Sequence, residues 1–154
     1  MYPWLLFAHS VCRWLVVASL LYAIFVALRG YTGRRSFSPS NDLVRHATAT
    51  IAHVQLTIGF VLYFNSPFIL YFRSHFREAI QQPGYLFFGV IHILLMTLSV
   101  VLITITSSVT KRTTTDQRKF LLMLIGFTIA FIIIFIAIPW PFSPLSHRPY
   151  LRTI

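Results

Sequence analysis

The sequence predicts an all-α integral membrane protein, a four-helix bundle with a short amphipathic helix in the membrane interface between the second and third spans. Three observations carry this. Of the 154 residues, 56% are hydrophobic, 16% aromatic and 10% charged, against about 25% charged in a soluble domain. The apolar residues gather into long runs, and one span takes roughly 20 of them, so the length accommodates about four spans and no separate soluble domain. One further segment carries its apolar residues on a four-residue repeat, the pattern of a helix lying in the headgroup plane. Residues 1–154 thus read as one transmembrane domain.

The first span covers about residues 3–28, with Pro3 suited to a first helical turn and Trp4 to the interfacial belt. It lacks a basic stretch before it and a small-residue cleavage site after it, so a retained helix is expected rather than a signal peptide. A basic loop, Arg29 to Arg35, and a turn-rich stretch from Ser36 to Asp42 follow. The second span, about 43–64, carries Arg45, His46, His53 and Gln55, and is stopped by Asn65-Ser66-Pro67. In the interfacial helix, about 68–82, Phe68, Phe72, Phe76 and Ile80 form one face and Arg73, Ser74, Arg77, Glu78 and Gln81 the other. The third span, about 85–107, includes His92, and a polar loop from Ser108 to Lys119 leads to the fourth, about 120–138. The fourth has no ionisable side chain and is cut off by Pro139-Trp140-Pro141.

The formal charge of +10 would suggest nucleic acid in a soluble protein, but here the basic residues fall mostly between apolar runs and read as topology signals, so no nucleic-acid partner is expected. Eight lie after spans one and three (Arg29, Arg34, Arg35, Arg45, Lys111, Arg112, Arg118, Lys119) and four on the other side (Arg73, Arg77, Arg148, Arg152). The positive-inside rule then puts both termini and the amphipathic segment outside. Cys12 is the only cysteine, which excludes an intramolecular disulfide and a Cys-pair haem attachment.

A short internal repeat links Ile58-Gly59-Phe60 with Ile125-Gly126-Phe127, and Pro67-Phe68 with Pro141-Phe142. Spans one and three also carry one histidine each near the outer end. Two hairpins related by a pseudo-twofold axis would produce this pattern; a chance match of short apolar motifs is the alternative.

The groups able to carry chemistry begin with His9 and Arg13, four residues apart on one helix face, where lipid would make both expensive. That face must look into protein, a cofactor or water. From the helical rise, His9 and His92 lie roughly 6 to 10 Å inside the outer helix ends, at matched depth, with His53 near mid-membrane and His46 near the inner surface. Two level histidines on opposite sides of a bundle suit the axial positions of a haem b, with Arg13, Arg73 and Arg77 available to its propionates. The ring nitrogen not bound to iron would seek an acceptor, a backbone carbonyl or Ser10. Hydrogen-bonded core histidines are the alternative.

His53 is open to three readings: a ligand with His92, a quinone contact together with Gln55, or an interhelical hydrogen bond. His46, His75 and His147 read as solvated surface residues. No two histidines stand one turn apart with acidic co-ligands, which argues against zinc. Asp42, Glu78 and Asp116 are all expected in loops, so no Ser-His-Asp site can be built, and an intramembrane carboxylate for proton-coupled transport is lacking. No catalytic site is identified.

His9-Ser10 with Arg13-Trp14, Ala52-His53-Val54-Gln55, Gly59, Leu62-Tyr63-Phe64 with Ser66-Pro67, Val90 with His92, Val101-Leu102-Ile103-Thr104 and Ile138-Pro139-Trp140-Pro141-Phe142 follow in an order and spacing that spans nearly the whole chain. In these it resembles the small four-helix bacterial membrane proteins labelled cytochrome b-like. The resemblance implies a haem b-type protein of the bacterial inner membrane, with His9, His53 and His92 as matching ligands and electron transfer as the role. The chain departs from that pattern at Ile91, where relatives tend to have Glu, and at Arg118-Lys119-Phe120, where they tend to have a histidine. The second departure argues against an inner-side haem.

The leading expectation is therefore a membrane subunit holding one haem b between His9 and His92, with Arg13 facing the bundle interior, inside a respiratory or photosynthetic complex. The alternative from another class is a cofactor-poor accessory subunit packing against partner helices, lipids or pigments, with a histidine able to ligate a chlorophyll-type pigment. A quinone module built on His53, Gln55 and Arg13 is the third.

Overall fold

The structure, a computed structural model, describes residues 2–141. Phe142, His147, Arg148 and Arg152 lie outside the described residues, and with them the tail's share of the charge count and of the repeat. The described chain is helical throughout: α1 (Tyr2–Thr32), α2 (Pro39–Asn65), α3 (Pro67–Ser74), α4 (Phe76–Ala79), α5 (Pro83–Leu86), a π-helical turn (Phe87–Ile91), α6 (His92–Arg112) and α7 (Asp116–Ala137). Four helices are long and apolar enough to cross a membrane, namely α1, α2, the continuous run Pro83–Arg112 and α7. The chain is a multi-pass α-helical membrane protein.

The helices outrun the spans read from hydropathy. At 31 residues, α1 is about 46 Å long, against about 30 Å of hydrocarbon. Arg29 sits in its last turn, and Lys111 and Arg112 in that of α6. Cations there face the negative end of the helix dipole, so a basic stretch prolongs a helix instead of ending it. The expected loop from Ser108 to Lys119 shrinks to 113–115. Nor are Asp42 and Asp116 in loops: they lie in the first turns of α2 and α7, while Glu78 lies in α4, within the segment read as the interfacial helix. Ser38 caps α2 by accepting from the Asn41 N–H at 3.4 Å, and Pro39 opens it.

Around the bundle α1 packs on α2 and α7, and α6 on the same two, so α1 lies diagonal to α6. The core is built from Val16, Leu20, Ala23 and Ala27 of α1, Ala49 and Ala52 of α2, Val100 and Ile103 of α6, and Met123, Phe127, Ala130 and Ile134 of α7. Small residues set the closest approaches, as expected where lipid gives helices no hydrophobic drive to associate. Gly30 lies beneath the Phe120 ring and Gly126 beneath Thr106, and a Cβ on either glycine would overlap those side chains.

Gly126 also bears on the repeat. Its counterpart Gly59 faces His9, near the N-terminal end of the bundle, whereas Thr106 lies 14 positions beyond His92 in sequence, about 21 Å along the helix. The two Ile-Gly-Phe motifs therefore sit at different levels and do not mark equivalent packing.

The interfacial helix departs most from expectation. It breaks at His75 (φ −123°, ψ 44°) into α3 and α4. Ser74 Oγ donates towards Leu70 O and Tyr71 O and lies 3.0 Å from His75 Nδ1, local bonds that compete with the helical ladder. The turn divides the four-residue stripe: Phe72 is buried and Phe76 is exposed.

At the basic end, Arg45 is buried. Its Nε donates to Asp42 Oδ1 at 2.8 Å, and its Nη1 to the carbonyl of Ser107 at 3.1 Å and to the Ser107 hydroxyl. This joins α2 to α6.

Candidate functional site

The site lies where α1 and α6 face each other across the bundle diagonal. The imidazole centroids of His9 and His92 are 6.5 Å apart, with planes at 68°. Both rings line a partly open cavity of about 220 Å³, walled mainly by apolar residues of α1, α2 and α6 such as Leu6, Leu56, Phe60 and Met96.

The last turn of α7 fixes His92. Helical carbonyls are normally paired with the N–H four residues on, and prolines at 139 and 141 have none to return to Phe135 and Ala137. Trp140 Nε1 donates to Phe135 O at 2.8 Å, and His92 Nδ1 lies 2.8 Å from Ala137 O. A carbonyl only accepts, so Nδ1 of His92 carries the proton and Nε2 is left with its lone pair.

The π-helical turn sets where His92 begins. The His92 N–H bonds back to Phe87 O, five residues earlier. Such turns leave a carbonyl out of the ordinary ladder, and the Tyr63 hydroxyl donates to Gly89 O at 2.9 Å. Gly89 is pressed under the Phe72 ring, where a Cβ would overlap it, so α3 buttresses the turn that carries the histidine.

His9 is held from α2. Gln55 Nε2 donates to the His9 carbonyl at 3.0 Å and lies 3.3 Å from His9 Nε2. The amide nitrogen only donates, so Nε2 of His9 accepts and the neutral ring's proton is on Nδ1. Nδ1 is buried and has no hydrogen-bond partner, and neither has Gln55 Oε1. The site thus offers an unmet donor and an unmet acceptor beside the lone pair of His92. Gly59 makes room for the His9 ring, whose Cε1 would stand 3.3 Å from a Cβ there.

Arg13 lines the same cavity, with Nη2 at 3.4 Å from Ser10 Oγ and its guanidinium carbon 5.8 Å from the Trp14 ring centroid. The histidines and arginine singled out on α1 and α6 therefore come together. His53 does not join them. It is exposed on α2, lines a separate cleft, and its Nε2 lies 2.9 Å from Thr104 Oγ1. Thr104 gives its own proton to Val100 O at 2.7 Å, so His53 donates. This is the interhelical bond, the structural one of its three readings. His46 and His75 are exposed.

Among the described residues no group of three or more His, Cys, Asp or Glu side chains could hold a metal ion; an axial pair on a haem iron needs only two. Two imidazoles on opposite sides of one metal ion, with bonds of roughly 2.0–2.1 Å, have centroids about 6.4 Å apart. The observed centroid separation is compatible with that distance, while His9 turns Nε2 to Gln55 and its Cε1–Nδ1 edge to Gly59, both on α2; His92 already has its outer nitrogen on a carbonyl, as ligating histidines do.

Sequence reasoning did not find the Ala137 carbonyl, Tyr63 or Gly59 as parts of the site. The prolines at 139 and 141 were the available signal for the first. Comparison with protein-family models, with curated proteins and with solved structures finds no match.

Proposed function

We propose that the protein is a haem b-binding membrane subunit for electron transfer, with His9 and His92 as the residues that would hold the haem iron. The observation that carries this reading is the separation of the two imidazoles across the bundle, 6.5 Å between centroids, which is close to the spacing of two imidazoles sharing one metal ion. His92 would bind through Nε2, oriented by Ala137 O. His9 would bind through Nδ1, and its proton would then sit on Nε2, so the Gln55 amide, which now turns Nε2 to that nitrogen, would reverse to present Oε1 and give up its bond to the His9 carbonyl. Arg13 would hold a propionate through charge-assisted hydrogen bonds. The cavity is partly open, and a macrocycle larger than about 220 Å³ needs that opening. When bound, haem supplies one-electron chemistry, at a potential set by its ligands and apolar surroundings. The basic ends of α1 and α6 support a bacterial inner-membrane orientation with the N-terminus outside.

The test is a reduced-minus-oxidised spectrum of the protein purified after expression with haem supplied. A low-spin b-type band is expected, lost in both His9→Ala and His92→Ala and kept in His53→Ala. A haem-free protein, or a band that survives both His9→Ala and His92→Ala, refutes the proposal.

The unmet donor on His9 also supports a second reading, a quinone headgroup whose carbonyl oxygen would accept from His9 Nδ1 and whose hydroxyl, in the reduced form, would donate to Gln55 Oε1. It predicts extractable quinone from haem-free protein and its loss in Gln55→Leu.

A further inference from the structure

A second cleft, about 250 Å³, lies between α2 and α6 at the basic end. We propose that it binds the phosphate group of an anionic phospholipid. Arg45 lines it and is only 4% exposed. Its Nε and Nη1 are held by Asp42 and Ser107, which fixes the guanidinium plane before any ligand arrives, while among the described residues no hydrogen bond engages Nη2. Lys111 and His46 stand exposed at the cleft, and the hydroxyl of Ser108 adds a further donor. The Thr50 proton goes to His46 O at 3.0 Å, so at rest its oxygen is an acceptor and the cations dominate. Among the described residues no carboxylate lines the cleft; Asp42 holds Arg45 from beside it.

A phosphodiester matches this arrangement: one negative charge and acceptor oxygens for a fixed guanidinium and a mobile ammonium. Basic pockets between transmembrane helices take acidic headgroups for this reason. The surroundings favour a lipid over free phosphate. The cleft extends along α2 from Arg45 to His53, eight positions in sequence, about 12 Å into the membrane. Val54, next in sequence to His53, and Ile105 and Val109, next to Thr104 and Ser108, are exposed apolar residues on the same two helices, a surface for acyl chains. His53 closes the deep end with its bond to Thr104, so the polar part of the cleft is confined to the headgroup end.

The test uses the full chain in phosphatidylcholine nanodiscs doped with phosphatidylglycerol, with bound lipid counted by native mass spectrometry after ejection. Wild type is expected to retain phosphatidylglycerol in preference to phosphatidylcholine. Lys111→Gln and, independently, His46→Gln should weaken retention, the former about fivefold, and Lys111→Arg should restore it. Arg118→Gln, on α7 outside the cleft, should change nothing. Equal loss in Arg118→Gln, no preference for the anionic lipid, or full displacement by millimolar inorganic phosphate would each overturn the proposal.

Discussion

Replacing Arg45 with methionine separates two contributions that the geometry joins in one side chain. Its partner Asp42 is 47% exposed, while the Arg45 side chain is 5% exposed. An ion pair with one member in water is screened and is worth about 0–1 kcal/mol. The bonds to Ser107 are different: they are buried, interhelical and made by a charged donor, a class worth roughly 1.5–3 kcal/mol. Helices unfolded within a membrane find substitute partners, which lowers such values, while methionine keeps most of the aliphatic packing. Arg45→Met is therefore expected to cost about 2 kcal/mol and Asp42→Asn less than about 1 kcal/mol. Unfolding by sodium dodecyl sulfate in mixed micelles, followed by circular dichroism or tryptophan fluorescence, measures both. Equal costs for the two variants would show that the ion pair, not the bond to α6, stabilises the basic end.

Two further outcomes follow from close contacts elsewhere. Gly126→Ala places a methyl into Thr106 and should destabilise by about 1–3 kcal/mol; adding Thr106→Ala should recover much of this in the same unfolding assay, and additive costs would count against direct contact. Tyr63→Phe strips Gly89 O of its partner and should cost about 1 kcal/mol, with faster amide exchange confined to residues 87–92; unchanged exchange there would show that the hydroxyl does not secure the π-helical turn.

Much of the architecture is legible because lipid simplifies the rules. A span must be long, apolar and hydrogen-bonded within itself, so hydropathy locates four crossing helices. It misplaces their ends, because Arg29, Lys111 and Arg112 satisfy helix termini while lowering hydropathy. The interfacial segment is less legible. A repeat of Phe68, Phe72, Phe76 and Ile80 describes one continuous face, yet it is silent on the local bonds of Ser74 that divide the helix at His75. The repeated Ile-Gly-Phe motif likewise states composition without depth.

The sequence by itself determined the membrane-spanning class and the matched depth of His9 and His92, since both follow from counting residues along helices of fixed rise. Which faces meet is a property of four helices packed together. Only the tertiary structure decided that α1 and α6 are diagonal, that the two imidazoles meet while His53 turns away to Thr104, and that Arg45 crosses to Ser107. It also decided the tautomers, because these depend on carbonyl and amide groups from other helices. A carbonyl left without an N–H by a proline can be foreseen; the side chain that reaches it depends on the fold.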